Sequence, residues 1–156
     1  MARLPVEFFD PTAKQQLLDL PSEQLKRRAL ELLAEVSKKN PKLGKPCGFA
    51  FSTGNLSDCR KLYFDEQRDM DPRYRIVYRL LPDEDGPRKA EVIRIGLKVP
   101  HGDEEQIYRQ VGQALEIARE RLDRRTTARQ RRAALQTLSK ARSISASKPF
   151  SCEASP

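Results

Sequence analysis

The sequence predicts an α+β fold in which two N-terminal helices pack on a small antiparallel sheet of three or four central strands, followed by a C-terminal helix. Three observations carry this expectation. Leu25, Ala29, Leu32, Leu33 and Val36 recur at helical spacing. Residues 60–65, 74–81 and 90–97 have the alternation and composition of strands. Ile107, Val111, Leu115, Ala118 and Leu122 form a second long helical stripe. The chain shows no internal repeat, which argues against a solenoid.

Taken in order, Val6 to Phe9 is short, apolar and partly aromatic, and reads as a first strand. Asp10-Pro11 supplies an N-cap with proline in the first helical position, so a helix is expected from Pro11 to about Leu18. Ser22, just after Leu20-Pro21, caps the second helix. From Asn40 to Asn55, Pro41, Gly44, Pro46, Gly48 and Gly54 break the pattern, leaving mostly loop with a brief strand at residues 49–52. The three central strands follow, joined by DEQRDMDPR and PDEDGPR.

Period-two alternation puts Leu62 and Phe64 on one face and Lys61 and Tyr63 on the other. It likewise separates Tyr74, Ile76, Tyr78 and Leu80 from Arg75, Val77 and Arg79. The helices are expected to cover the first face and leave the second open and cationic. Asp103, with Gln106 three residues on, resembles a capping box at the start of the third helix. Thr126-Thr127 interrupts that helix's stripe before a weaker one at Ala133, Ala134, Leu135 and Leu138. From Ser143 the periodic apolar pattern disappears and disorder is expected. The expected organisation is a domain over residues 1–122, a basic helical extension over 123–142 and a disordered tail over 143–156.

At 156 residues, 38% hydrophobic and 33% charged, the chain suits one soluble domain with a polar periphery. No apolar run approaches the roughly 20 residues of a membrane span, and MARLPVEFFD lacks the apolar stretch of a secretory signal, so a cytoplasmic protein with no membrane partner is expected. Cys47, Cys59 and Cys152 are odd in number and lack ligand spacing; three reduced thiols, no metal and no cofactor are expected. The formal charge of +8 is unevenly spread, with 20 Lys plus Arg against 19 Asp plus Glu in residues 1–118, but 10 against 2 in residues 119–148. A basic extension beside a nearly neutral domain points to nucleic acid or an acidic partner protein.

The residues also suggest a chemistry. Lys61, Arg75 and Arg79 on one sheet face can meet phosphates, and tyrosines can stack on bases or move protons. A ribonuclease without metal needs a base for the 2′-hydroxyl, cations for the charge that builds at phosphorus, and an acid for the 5′-oxygen. The same alternation is also expected on the solvent face of any antiparallel sheet.

The segments LSDCRKLYF, YRIVYRLLP, VIRIG and QIY, preceded by two helices, together resemble the RelE/ParE superfamily of bacterial type II toxin–antitoxin toxins over residues 3–122. The resemblance implies a toxin held by a cognate antitoxin. In the RelE-like branch it implies an endoribonuclease, or mRNA interferase, that cuts messenger RNA on the ribosome. It implies catalytic roles for Lys61, Arg75, Lys98 and Tyr108, with Lys61 or Tyr108 as the base, and further roles for His101, Tyr63 and Arg79. Tyr63 stands where RelE proper carries a second lysine, and the loop PHGDEEQ is longer than in the family type. Nucleic-acid contacts are expected from Arg60, Arg94, Arg124, Arg125, Arg129, Arg131 and Arg132. The alternatives are a non-enzymatic ParE-like inhibitor of DNA gyrase and a degenerate member that only binds a partner.

Overall fold

The computed structural model describes residues 3–50, 54–99 and 106–146. The chain divides into two units, Met1–Leu115 and Glu116–Pro156. In the first unit β1 (Val6–Phe8) leads into α1 (Pro11–Leu18) and α2 (Glu23–Lys38). The Asp10 carboxylate accepts the Ala13 N–H at 3.0 Å and the Ser22 hydroxyl accepts the Leu25 N–H at 3.2 Å, so both helices start at the expected caps. β2 (Lys45–Pro46), β3 (Phe49–Ala50) and β4 (Gly54–Asn55) are two residues each, followed by the long strands β5 (Cys59–Phe64), β6 (Tyr74–Leu81) and β7 (Lys89–Leu97). α3 runs from Ile107 to Ala146, and its first turns, to Leu115, belong to this unit.

The main sheet has five strands in the order β1-β7-β6-β5-β2, with β1 parallel to β7 and the other neighbours antiparallel. This corrects the expected three or four antiparallel strands at both edges. β2 lies where the glycines and prolines suggested loop; Pro46 lacks an N–H and so is tolerated in a strand only at an edge such as this. β3 and β4 pair with each other as a separate hairpin. Because β1 ends at Phe8, opposite Val92, the later part of β7 has no strand on that side. There the Gln16 amide of α1 accepts the Ile95 N–H at 2.8 Å and donates to the Gln110 side chain of α3 at 2.9 Å.

The open face expected on the far side of the sheet is filled. One core, between the sheet and α1 and α2, takes Leu25, Leu33 and Val36 with Leu62, Phe64, Ile76, Tyr78, Val92 and Ile95. A second, on the opposite face, gathers Cys47, Cys59, Val77 and Ile93 against Ile107, Val111, Ala114 and Leu115 of α3. A bulge makes this two-sided burial possible. Val77 pairs with Arg94 and Tyr78 with Val92, leaving Ile93 as the extra residue. Strict alternation would point Ile93 and Ile95 the same way; the bulge sends Ile93 to the α3 side while Val92 and Ile95 both reach the first core.

α3 is continuous through Thr126-Thr127, where only its apolar stripe was expected to be interrupted. The two hydroxyls donate to the Leu122 and Asp123 carbonyls at 3.0 and 2.9 Å, four residues back, so each threonine satisfies itself within the helix. Residues 143–146, expected to be disordered, form its last turn. The helix begins at Ile107, with the Gln110 N–H bonded to the Gln106 carbonyl at 3.1 Å. The proposed Asp103 cap, His101, Cys152 and residues 147–156 of the expected tail lie outside the described residues. Among the described residues no helix is long and apolar enough to cross a membrane.

The segment before β2 fixes the edge of the sheet. The Tyr78 hydroxyl lies 2.8 Å from the Pro41 carbonyl and 2.7 Å from that of Leu43, and burial pushes its pKa up to about 12. Arg60 Nη2 donates to the Lys42 and Gly44 carbonyls at 2.8 and 3.0 Å. Gly44 makes the approach possible. Its φ is +85°, and a Cβ there would collide with the Lys61 carbonyl oxygen and come within 2.7 Å of Leu62 Cδ2. Gly44→Ala is expected to destabilise the protein by at least about 2 kcal/mol, through left-handed strain and displacement of β5, as measured by chemical denaturation.

Candidate functional site

Lys61, Tyr63, Arg75 and Tyr108 come from β5, β6 and the first turn of α3 and meet on the α3 side of the sheet. Register sets the first contact: Tyr63 lies opposite Arg75. The Arg75 guanidinium stacks over the Tyr63 ring at 4.0 Å. Lys61 Nζ stands 5.4 Å from the Tyr108 ring centre and 6.0 Å from that of Tyr63. α3 brings Tyr108 in because its neighbours Ile107 and Val111 are anchored in the second core.

A fifth member was missed by the sequence reading. Lys45 of β2 pairs in register with Lys61 and holds its Nζ 5.6 Å from the Tyr63 ring. The clue available was Pro46, whose place at a sheet edge would have turned Lys45 from a loop residue into a neighbour of Lys61.

The site is defined as much by what it lacks. Arg60 is hydrogen-bonded to Glu84 at 3.0 Å, Arg79 to Glu91 at 2.7 Å, Arg94 to Asp10 at 2.9 Å and Arg73 to Asp65 at 2.8 Å. Among the described residues, none of Lys45, Lys61 and Arg75 has a carboxylate partner. Like charges directly opposed across a ladder, as Lys45 and Lys61 are, destabilise a sheet. An added anion relieves that repulsion.

Arg75 is also the buried member, only 7% exposed. Its Nη1 donates to the Pro72 and Tyr74 carbonyls at 2.7 and 2.9 Å, while its Nε has no partner among the described residues. Gly96, opposite Arg75 in the register, has open space where a side chain would stand. A guanidinium anchored on two carbonyls, hydrogen-bonded to the Tyr108 side chain and left with one unpartnered N–H among the described residues, is prepared for an oxyanion.

Burial raises the Tyr108 phenol above its ordinary pKa, and the nearby charges of Lys61 and Arg75 oppose the rise without cancelling it. The group is therefore a proton donor at neutral pH, which disfavours the expectation that it serves as the base. The cysteines on this face are inert: burial lifts Cys47 to about 11 and Cys59 to about 12, and both are free thiols.

The other expected site residues fall elsewhere. Arg60 and Arg94 were expected to meet nucleic acid, but each is engaged internally. Arg60 lies on the Leu62 face, as alternation from Lys61 already required, and Arg94 holds the carboxylate that caps α1. Arg79 is held by Glu91 and stands over the Phe9 ring at 5.4 Å. Lys98 has an exposed side chain just beyond β7, and its backbone N–H is bonded to the Arg73 carbonyl at 2.8 Å. Arg124, Arg125, Arg129, Arg131 and Arg132 are exposed on α3 in the second unit. Among the described residues no three His, Cys, Asp or Glu side chains gather as a metal ion would require.

No protein-family model matches the chain, and no curated relative does. Among solved structures, the chain is similar to one in the toxin–antitoxin complex RelBE2 from Mycobacterium tuberculosis. The identity is 22%, the match covers 64% of this chain and 97% of that one, and the TM-score is 0.42. A likeness this loose transfers no function.

The site's geometry rests on the connection between β5 and β6. The Asp65 carboxylate accepts from the Glu66 and Arg73 N–H groups and from Arg73 Nε and Nη2, all within 3.1 Å, and its side chain is inaccessible to solvent. These hydrogen bonds, led by Arg73, hold its pKa well below the usual carboxylate range. A lowered folded-state pKa contributes stability that is present above about pH 4 and lost as pH falls below it. Asp65→Asn is expected to cost about 1–3 kcal/mol at pH 7 and to flatten the acid limb of stability below pH 4, read by denaturant titration at a series of pH values.

Proposed function

We propose that the cluster binds and cleaves a phosphodiester, and that the protein is a RelE-like toxin of a type II toxin–antitoxin system acting as a ribosome-dependent mRNA endoribonuclease. One observation supports this reading above the rest: Lys45, Lys61 and Arg75 converge on Tyr63 and Tyr108 without a compensating carboxylate among the described residues, while the scaffold's other arginines nearby are paired.

Each residue then has a task. Arg75, anchored by two carbonyls, directs its unsatisfied Nε at a phosphate oxygen and stabilises the charge of the phosphorane. Tyr63, already stacked under Arg75, offers its ring to a base. The 2′-oxygen attacks phosphorus, forming a cyclic phosphate as the bond to the 5′-oxygen breaks. Tyr108 gives its proton to that leaving oxygen, the 2′-hydroxyl proton passes to solvent water, and the Lys61 ammonium stabilises the negative charge that builds at the attacking oxygen and phosphorus. Lys45 adds positive charge beside the same phosphate. A cognate antitoxin would silence the site by covering this face, and the proposed place of action is the cytoplasm, on the ribosome and its messenger RNA.

Controlled expression in cells, with transcript ends mapped, tests the proposal. Wild-type protein is expected to arrest growth and cut translated messages, and Tyr108→Phe to reduce cutting by about 10²–10⁴-fold while preserving the ring and its packing. Lys61→Gln is expected to lower it comparably. In a reconstituted translation system the raised phenol keeps its proton through neutral pH, so an acid role predicts no loss of rate from deprotonation of this group across the neutral and mildly alkaline range. Growth arrest with intact messages and gyrase-dependent DNA breaks would replace this reading with the ParE-like one.

A further inference from the structure

We propose that the second unit is a docking arm that lies in the major groove of duplex DNA. The inference is independent of the sheet cluster, since it uses only α3 beyond Leu115. From Arg119 to Arg142 the described side chains are exposed. Between Glu116 and Ser139 every basic residue is an arginine: 119, 121, 124, 125, 129, 131 and 132. Arginine, weakly hydrated and fork-shaped, is the cation suited to phosphate oxygens and base edges, whereas a helix face kept merely soluble is served by lysine as well.

Their distribution round the helix gives the direction. At 100° per residue, Arg121, Arg124, Arg125, Arg129, Arg131 and Arg132 fall within about half the circumference. Glu116, Glu120, Asp123, Thr127, Gln130 and Ala134 fall on the other half. Glu116 and Asp123 thus lie away from the basic face, on the same half as Arg119, and Glu120 stands at its margin beside Arg131.

That pattern selects among polyanions. A membrane-surface helix needs a continuous apolar face opposite its cations, and here that half is Arg119, acid, Thr, Gln and Ala with Leu122 at its margin, while Leu135 lies within the basic half and Leu138 at its edge. A coiled-coil partner needs an apolar seam at heptad spacing, and none runs between Asp123 and Ala134. The B-DNA major groove, about 12 Å wide, admits a helix of about 10–12 Å diameter, and its walls carry phosphates on both sides. Cations spread over half a circumference reach both walls, and Arg121 to Arg132 cover about 16 Å of groove. The major groove of duplex RNA is too narrow and deep for this.

The test uses the full chain and a fluorescently labelled 20-base-pair DNA duplex, titrated by anisotropy at several salt concentrations. Six phosphate contacts predict a slope of log K against log salt of about −5, and Arg124→Gln/Arg125→Gln/Arg131→Gln is expected to flatten it by about 0.9 per arginine lost. Glutamine keeps helix propensity, and matched circular dichroism confirms that the helix persists. Lys61→Ala is expected to leave DNA affinity unchanged, which separates this arm from the sheet cluster. In Arg124→Gln/Arg131→Gln/Thr127→Arg/Ala134→Arg the net charge returns but on the wrong face, and binding is expected to remain weak. Recovery of affinity in that variant, an unchanged slope in the triple variant, or tighter binding to duplex RNA or to anionic vesicles would each overturn the proposal.

Discussion

A carboxylate shut away from water has to be satisfied completely, and Asp65 is: four N–H donors converge on it, three of them from Arg73. Through this one group the start of the long connector after β5 is tied to Arg73, the residue just before β6. The tie fixes the register in which Tyr63 faces Arg75. A slip of one residue would turn Arg75 to the helix-packed face and Ile76 to the α3 side, so the chemistry of the sheet and the packing of both cores depend on the same carboxylate.

The two cores compete for the same strands. β6 supplies Ile76, Tyr78 and Leu80 to one and Val77 to the other, so the side carrying Arg75 is apolar in its middle and cationic toward one end. α3 closes the apolar part. The cationic part remains at the strand ends, where Gly96 leaves room beside Arg75. Charge is sorted in the same way. The acidic residues that bring the first 118 positions close to neutrality hold scaffold groups: Glu84 holds Arg60, Asp85 approaches Lys42 at 3.6 Å, and Asp83 closes its own turn through the Asp85 and Gly86 N–H groups.

Much of this was legible in the sequence, for identifiable reasons. Helix caps declare themselves locally, so Asp10 and Ser22 marked their helices, and alternation sorted Leu62 and Phe64 from Lys61 and Tyr63. Residues far apart in sequence were harder. Nothing near Val6 says that its strand will lie parallel to β7, and nothing near Val77 says that α3 will cover it. The candidate site was partly visible: Lys61, Tyr63, Arg75 and Tyr108 are in contact. The internal partners of Arg60, Arg79 and Arg94 were not legible because a cation's surroundings depend on which carboxylate the fold delivers to it, and Glu84, Glu91 and Asp10 arrive from other elements or from across the ladder. Lys45 was missed because a two-residue strand has no periodicity.

The internal pairing of the scaffold's cations has a kinetic side. With its charges nearly cancelled, the first unit projects little field beyond the roughly 8 Å over which physiological salt screens charge. At physiological salt the sheet face therefore exerts little pull on a distant polyanion. The excess charge resides in the arginine-bearing part of α3, so any long-range attraction of a polyanion would originate there. Raising the ionic strength should accordingly weaken attraction to the second unit far more than contacts made within the partly buried sheet cluster.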